Sequence, residues 1–462
     1  MTEARSAHFI GIGGAGVSAV AQVFHDQGGT ATGSDMRRSR YSDALVAHGI
    51  PVAIGHAATN LGDPDVVVVS SAIPPTNPEY AAAIERGIPV WKRARMLAEL
   101  AGDRATLAVA GTHGKTTTST MLAVALDGMG LSPTYLIGGI SKDLGSNGAC
   151  GTGPHYVVEA DESDGSFLFL APTVALVTNI EADHLDFYEG IEHVERTFAE
   201  FLGRGVDDGC VVACADDARV MAVADDCGRR VVTYGRSDDA DVCLVAIESA
   251  GLGSTFTVRL PDGSTLDARL PVPGAHMALN ATGVVAALVA LGLDASAGAA
   301  RLATFAGVRR RFDRLGEVDG VTVVDDYAHH PTEVAATLAA AQAAGFARVW
   351  SLFQPHRYSR TGALAREFGE AFVDADRVVL MDVYSAGETP IPGVSGKTLV
   401  DAVLEGHPRT ELAYFPHRGD IVGYLADRVR AGDLVMTMGA GDVNNVGGEL
   451  VRELETRSAA RP

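Results

Sequence analysis

Apolar positions along this chain gather in short runs, each closed by glycine, serine or an acidic residue and followed by a stretch of helical spacing. Residues 8–12, 30–33 and 88–90 read as strands of this kind, with helices expected over 17–26 and 94–100. Residues 65–71, DVVVVSS, and 174–177 are apolar without alternation, which suits parallel strands covered on both faces. Further strands are expected at 156–158, 321–324, 348–353, 378–381 and 434–438. Between residues 210 and 270 the texture changes to short strands, 230–234, 242–247, 254–260 and 265–270, separated by glycine and aspartate turns. Pro271-Val272-Pro273-Gly274 ends that region, and a helix is expected over 281–291, with His276 and Asn280 before it as candidate caps. Strand after strand that ends in a polar loop predicts an α/β protein of doubly wound parallel sheets. Breaks at Gly102-Asp103 and near Gly307 divide it into residues 1–102, 103–306 and 307–462.

The stretch with the sharpest chemistry is residues 106–118, TLAVAGTHGKTTT. An apolar strand stops at Gly111. Then Thr112, His113, Gly114, Lys115, Thr116 and Thr117 lead into a helix. Strand, glycine turn, Lys-Thr and helix make the anatomy of a phosphate-binding loop, in which N–H groups at the helix start converge on an anion. Lys115 would reach the terminal phosphates and the Thr116 hydroxyl a magnesium ion. The full G-x-x-x-x-G-K-[ST] pattern asks for glycine at position 109, where this chain has Val109, so the match is to the shorter GTHGKTT form. A glycine turn with an exposed lysine is the alternative.

Charge narrows the partners. The 462 residues carry a formal charge of −21, with 58 acidic against 37 basic side chains. That argues against nucleic acid or an anionic membrane as the main partner, and an anionic substrate would need a locally basic site. Lysine is scarce: Lys92, Lys115, Lys142 and Lys397. The five cysteines form no C-x-x-C pair, so reduced core thiols are expected rather than a zinc site or disulfides. With no stretch of signal-peptide length at the N-terminus and no apolar run of membrane-spanning length, a cytoplasmic location is expected.

Gly11-Ile12-Gly13-Gly14-Ala15-Gly16 fits G-x-G-x-x-G between a strand and a helix, and Asp35 follows roughly 20 positions on, as in a dinucleotide fingerprint. A tight turn with close helix packing is the other reading. Two acidic clusters, EADESD at 159–164 and TNIEADHLD at 178–186, follow predicted strand ends. In open α/β sheets that edge binds ligands. Carboxylates with one imidazole suit magnesium or manganese bridging phosphates, against the alternative of solvated acidic loops. GVRRRFDRL at 307–315 is an arginine cluster in an acidic chain, and DDYAHHP, QPHRYSR and GAGD close later strands.

Eight strings in order, HFIGIGGAG, GTHGKTTT, EADESD, TNIEADHLD, GAHMALNA, RRFD, DDYAHHPTE and QPHRYSRT, make the chain resemble the Mur ligases, the ATP-dependent amide-forming enzymes of peptidoglycan precursor synthesis. The resemblance implies three α/β domains: a Rossmann-like N-terminal domain for the UDP-sugar, a central P-loop ATPase-like domain, and a Rossmann-like C-terminal domain for the amino acid. It implies ATP, UDP-N-acetylmuramate and L-alanine as partners, Mg2+ or Mn2+ as cofactor, and a monomer or weak homodimer. On this resemblance Gly13, Gly14, Ala15, Gly16, Asp35, Ser70 and Ser71 meet the UDP-sugar, with Asp35 toward the uridine. Thr116, Glu159 and His184 hold the metal. Gly111–Thr117, His276, Asn280, Arg311 and Asp326 meet the nucleotide. Tyr327, His330, His356, Arg357 and Arg360 shape the amino-acid side. Met277 stands where the family usually has Asn, and Ala328 where Gly is common. Several Mur ligases carry a carbamylated lysine after the His184 position, and here no lysine lies between Lys142 and Lys397.

The implied chemistry is acyl-phosphate formation followed by amide formation, with Lys115, metal and Arg311 neutralising the transferring phosphoryl group. His184 or His330 are candidate bases for the amine. A tripeptide-recycling ligase of the same family is the nearest alternative. A nicotinamide-dependent dehydrogenase would leave the phosphate loop idle, and a P-loop kinase would leave the first domain idle.

Overall fold

Strand ends, more than helices, decide which residues of this chain meet. The computed structural model describes residues 4–460 except 71, 185 and 186, and of residue 250 the backbone alone. Ser71 and the last residues of the second acidic cluster, Leu185 and Asp186, therefore lie outside the described residues. Among the described residues the strands form three sheets with helices between them, which bears out the expected α/β class.

The first sheet holds β1 (Ser6–Ile10), β2 (Thr30–Asp35), β3 (Val52–Ile54), β4 (Val66–Val69) and β5 (Val90–Lys92) in the order β3-β2-β1-β4-β5, all parallel. All four valines of β4 are buried, as an apolar run without alternation requires. β5 begins later than expected. Gly87, at φ +68°, ends the Pro78–Glu85 helix, and the Ile88 N–H still bonds the Ala83 carbonyl, so Ile88 belongs to the helix terminus.

The second sheet holds β6 (Ala105–Ala110), β7 (Thr134–Leu136), β8 (Gly148–Ala149), β9 (His155–Glu159), β10 (Val174–Val177), β11 (Cys210–Cys214), β12 (Arg230–Gly235), β13 (Val242–Ala250), β14 (Gly253–Arg259) and β15 (Thr265–Leu270). Its order is β15-β14-β13-β12-β11-β10-β6-β9-β7-β8. β6 thus lies between β9 and β10, parallel to both. The third sheet has the order β16-β17-β21-β18-β19-β20, from β16 (Asp313–Val318), β17 (Val321–Asp326), β18 (Arg348–Phe353), β19 (Arg377–Met381), β20 (Leu412–Phe415) and β21 (Asp433–Met438). Only β16 runs antiparallel in it.

One helix differs from expectation. It begins at Ala275 and runs to Ala290, so His276 and Asn280 sit within its first turns rather than capping it. Pro271 and Pro273 lie upstream, and nothing from Ala275 onward interrupts helical spacing.

The chain divides into two compact units, Met1–Val245 with Thr257–Ala268 and Leu279–Phe305, and Ala246–Phe256 with Arg269–Ala278 and Ala306–Pro462.

Candidate active site

In the first sheet, register brings the glycine turn, Asp35 and Ser70 to one edge: Ile10 pairs with Ser34 on one side and Val69 on the other. Gly11, at φ +81°, starts the turn, and the helix Ala15–Asp26 follows Gly14. Asp35 does not stand apart from this turn. Its Oδ2 accepts the Gly13 N–H at 2.9 Å, and a Cβ on Gly13 would lie 2.8 Å from that oxygen. The Gly13 N–H is thus engaged within the turn by Asp35. The N–H groups of Ala15 and Gly16 open the helix, where no earlier turn can accept them. A cavity of about 390 Å3 lies against this turn, lined by Gly14, Gly16, Ser70, Arg93, Glu159 and Asp161 among others.

The phosphate loop leaves the end of β6, flanked in register by Val177 of β10 opposite Ala110 and Glu159 of β9 opposite Val109. Gly111 is at φ +129°, and a Cβ there would lie 2.0 Å from Thr178 Oγ1, so only glycine fits. The segment after β10 braces the loop. Thr178 Oγ donates to the His113 carbonyl at 2.6 Å, and the Asn179 side chain accepts the His113 N–H at 2.8 Å. Thr112 Oγ1 accepts the Glu181 N–H at 2.8 Å, and His113 Nε2 lies 3.5 Å from Glu181. Gly114, at φ +83°, precedes the helix Lys115–Gly128, in which Thr116 and Thr117 are buried. Asn280 comes to this loop too: a Cβ on Gly114 would lie 2.9 Å from Asn280 Oδ1.

Lys115 is turned back on its own loop. Its ammonium donates to the Gly111 carbonyl at 2.5 Å, the Thr112 carbonyl at 3.0 Å and Glu162 Oε1 at 2.8 Å. Burial disfavours the charge of Lys115, but Glu162, Asp161 and Glu159 outweigh it and raise its pKa. Burial pushes the Glu162 carboxyl up to about 7 against the pull of Lys115. Burial likewise works to raise Asp161, yet Lys115, the Ser163 hydrogen bonds and Arg93 hold it below the usual range. Glu159 accepts the Gly138 N–H at 2.9 Å. His184, at φ +53°, lies 4.0 Å from Glu162 Oε1 and 3.7 Å from Asp183 Oδ2. Lys115, Glu162 and His184 thus share one site beside Glu159.

In the second unit, Asp326 of β17 and Phe353 of β18 both pair with Met438, which brings the ends of β17, β18 and β21 together. Asp326 accepts the N–H groups of Phe312 and Ala328, each at 2.7 Å. Burial raises its carboxyl to about 6, opposed by Arg311. The guanidinium groups of Arg310 and Arg311 lie over the Tyr327 ring at 4.8 and 5.2 Å. His330 is buried ahead of the helix Pro331–Ala343. His356 stacks on Tyr384 with ring centroids 5.8 Å apart, and burial, helped by His329, Arg360 and Arg357, lowers its pKa to about 4. Arg360 Nη1 faces His356 Nδ1 at 3.4 Å, whereas Arg357 pairs with Glu388 at 2.8 Å. Arg357 sits at φ +73° just before the Tyr358–Ala363 helix, which holds Arg360, and the two arginines engage different partners.

Two charged residues at these turns carry no signal of their own in the sequence. Arg93 reaches the glycine turn, where a Cβ on Gly16 would lie 3.1 Å from its Nη1. It places a cation beside that turn in an otherwise acidic chain. In the sequence Glu162 is one carboxylate of an acidic run. Its burial and its lysine partner are tertiary facts.

Sequence profiles of the Mur ligase family match in order: the catalytic domain at residues 6–105, the middle domain at 109–288 and the glutamate ligase domain at 310–441. The chain is 45% identical over 453 residues to a UDP-N-acetylmuramate–L-alanine ligase of Syntrophotalea carbinolica, covering 98% of this chain and 99% of that one. It is 48% identical over 439 residues to the ligase of the same name from Acidothermus cellulolyticus, covering 94% and 91%. Among solved structures, a UDP-N-acetylmuramate–alanine ligase of Thermotoga maritima superposes with a TM-score of 0.81 at 29% identity, covering 98% and 99%. A murein peptide ligase of Psychrobacter arcticus gives 0.71 at 25%, covering 97% and 98%. With three profiles in order and relatives of this identity over nearly its whole length, the chain belongs to the Mur ligase family.

Proposed function

We propose that this chain joins L-alanine to the lactyl carboxylate of UDP-N-acetylmuramate, using ATP, in peptidoglycan precursor synthesis. The carboxylate attacks the γ-phosphorus and ADP leaves, giving an acyl phosphate. The neutral amine of alanine attacks that carbonyl, and the tetrahedral intermediate expels phosphate. One observation carries the reading: relatives of that name match this chain end to end at 45% identity. The geometry supports it, since Lys115, Glu159 and His184 stand at adjoining strand ends.

The Ala15 and Gly16 N–H groups, Ser70 and Arg93 would hold the diphosphate at the helix start. Lys115 would stabilise charge on the transferring phosphoryl group. Asn280, His276, Arg311 and Asp326 are assigned to the nucleotide, and Tyr327, His330, His356 and Arg360 to the amino acid. Thr116, Glu159 and His184 would hold a divalent cation. Hydroxyl, carboxylate and imidazole suit Mg2+ or Mn2+, and the nearby Glu162 Oε2 is a buried oxygen that receives no hydrogen bond from the described residues. When bound, the cation supplies charge neutralisation at the phosphates. With His184 on the cation, His330 would take the proton from the amine.

The test is phosphate release from ATP with UDP-N-acetylmuramate and each of alanine, glycine, serine and a tripeptide. Release that requires both the UDP-sugar and alanine supports the proposal. A preference for the tripeptide would favour the second reading, a peptide-recycling ligase, for which the murein peptide ligase likeness speaks. Release that ignores the UDP-sugar would overturn both.

A further inference from the structure

The reaction outlined above gives Glu162 no part, yet Glu162 is the buried counter-ion of the one lysine the reaction needs. Its side chain is 3% exposed. One carboxylate oxygen takes the Lys115 ammonium at 2.8 Å, and the other is buried without a hydrogen-bond partner among the described residues. The backbone holds the carboxylate in place, because the Glu162 carbonyl accepts both the Tyr188 hydroxyl and the Gly165 N–H. Two loop carbonyls complete the binding of the ammonium, which is thereby withheld from the space above the loop.

We propose that Glu162 is a positioning residue that latches Lys115 in the nucleotide-free loop and yields it to the terminal phosphate of an arriving nucleotide. The inference rests on the phosphate-loop reading above. A buried lysine without a counter-ion is strongly unfavourable, so the latch keeps the empty loop folded. The same carboxylate competes with a phosphate for one ammonium, and its release leaves a buried charge unpaired. Nucleotide affinity is lowered by that amount. The competition concerns only phosphates that reach Lys115, so a nucleoside monophosphate, whose phosphate stops short of it, is indifferent to the latch.

Calorimetric titration with ADP and AMP in EDTA tests this in wild type, Glu162→Gln, Lys115→Ala and the double variant, with thermal melts to confirm folding. Glu162→Gln is expected to bind ADP about tenfold more tightly than wild type, the size of one charge-assisted contact. That gain is expected to vanish on the Lys115→Ala background, and AMP binding to stay equal. Should Glu162→Gln not fold, Glu162→Asp lengthens the pair and is expected to give a smaller gain of the same sign. An unchanged or weaker ADP affinity in the folded variant overturns the latch. So does an equal gain on the Lys115→Ala background, which would mean simple repulsion. An ADP affinity that Lys115→Ala leaves unaltered overturns the phosphate-loop reading itself, and the latch with it.

Discussion

Replacing Glu79 by glutamine should loosen the N-terminal sheet by an amount that depends on pH. Glu79 is fully buried, and four groups converge on its carboxylate: His8 Nε2 at 3.3 Å, the Ser34 hydroxyl, Asn60 Nδ2 at 2.7 Å and the Ala57 N–H at 3.1 Å. Ser34 in turn accepts from His56 Nδ1 at 2.9 Å, and His8 Nδ1 meets Thr32 Oγ1 at 2.9 Å. Burial works to raise the Glu79 carboxyl, but these hydrogen bonds prevail and lower it from 4.5 to about 2. At about 1.36 kcal/mol per unit, that shift is worth about 3 kcal/mol at pH 7. A glutamine can keep Asn60 and Ala57 on its carbonyl, but its amide then faces two donors, Ser34 and His8. The sign follows from the lowered folded pKa. As pH falls below about 4.5 the unfolded chain takes the proton first, so the contribution declines and is gone below about 2. The assay is urea unfolding followed by Trp91, which lies in β5 of the same sheet, in a Trp350→Phe background that removes the other tryptophan. Wild type should exceed Glu79→Gln by about 3 kcal/mol at pH 7 and by less than half of that at pH 3. Equal stability at pH 7, or a gap undiminished at pH 3, would refute the reasoning.

Gly111→Ala places a methyl 2.0 Å from Thr178 Oγ1 at a φ that disfavours side chains, so ADP affinity measured by calorimetry should fall at least tenfold. Arg93→Ala should weaken UDP-sugar binding roughly 10- to 150-fold and leave ADP binding intact; equal losses would remove Arg93 from the diphosphate. Arg360→Ala should raise the alanine KM roughly 10-fold or more, and by more than Arg357→Ala, whose guanidinium is already paired with Glu388. With no lysine between Lys142 and Lys397 to carbamylate, turnover should be the same in bicarbonate-free buffer; a bicarbonate requirement would contradict this.

What the sequence determined by itself was local. The strands Val174–Val177 and Arg348–Phe353 have the bounds expected of them: Thr173 and Thr178 close the first, and Gln354-Pro355 ends the second. The strand-to-helix turn at residues 111–115 was legible because its geometry is set by consecutive residues. The glycine turn was legible for the same reason. Where local signals conflicted, they misled: the Ala275–Ala290 helix takes in His276 and Asn280, which resembled caps. The tertiary structure alone decided which distant residues meet. β6 lies between β9 and β10 although β7 and β8 are nearer in sequence, and only that order sets Glu162 against Lys115 and Thr178 against Gly111. Arg93 over Gly16 and the four partners of Glu79 depend in the same way on strand order and register. The physical reason is that backbone hydrogen bonding is alike for every pair of strands. A run of valines specifies burial but not a neighbour, and the neighbour is chosen by the packing of the whole sheet.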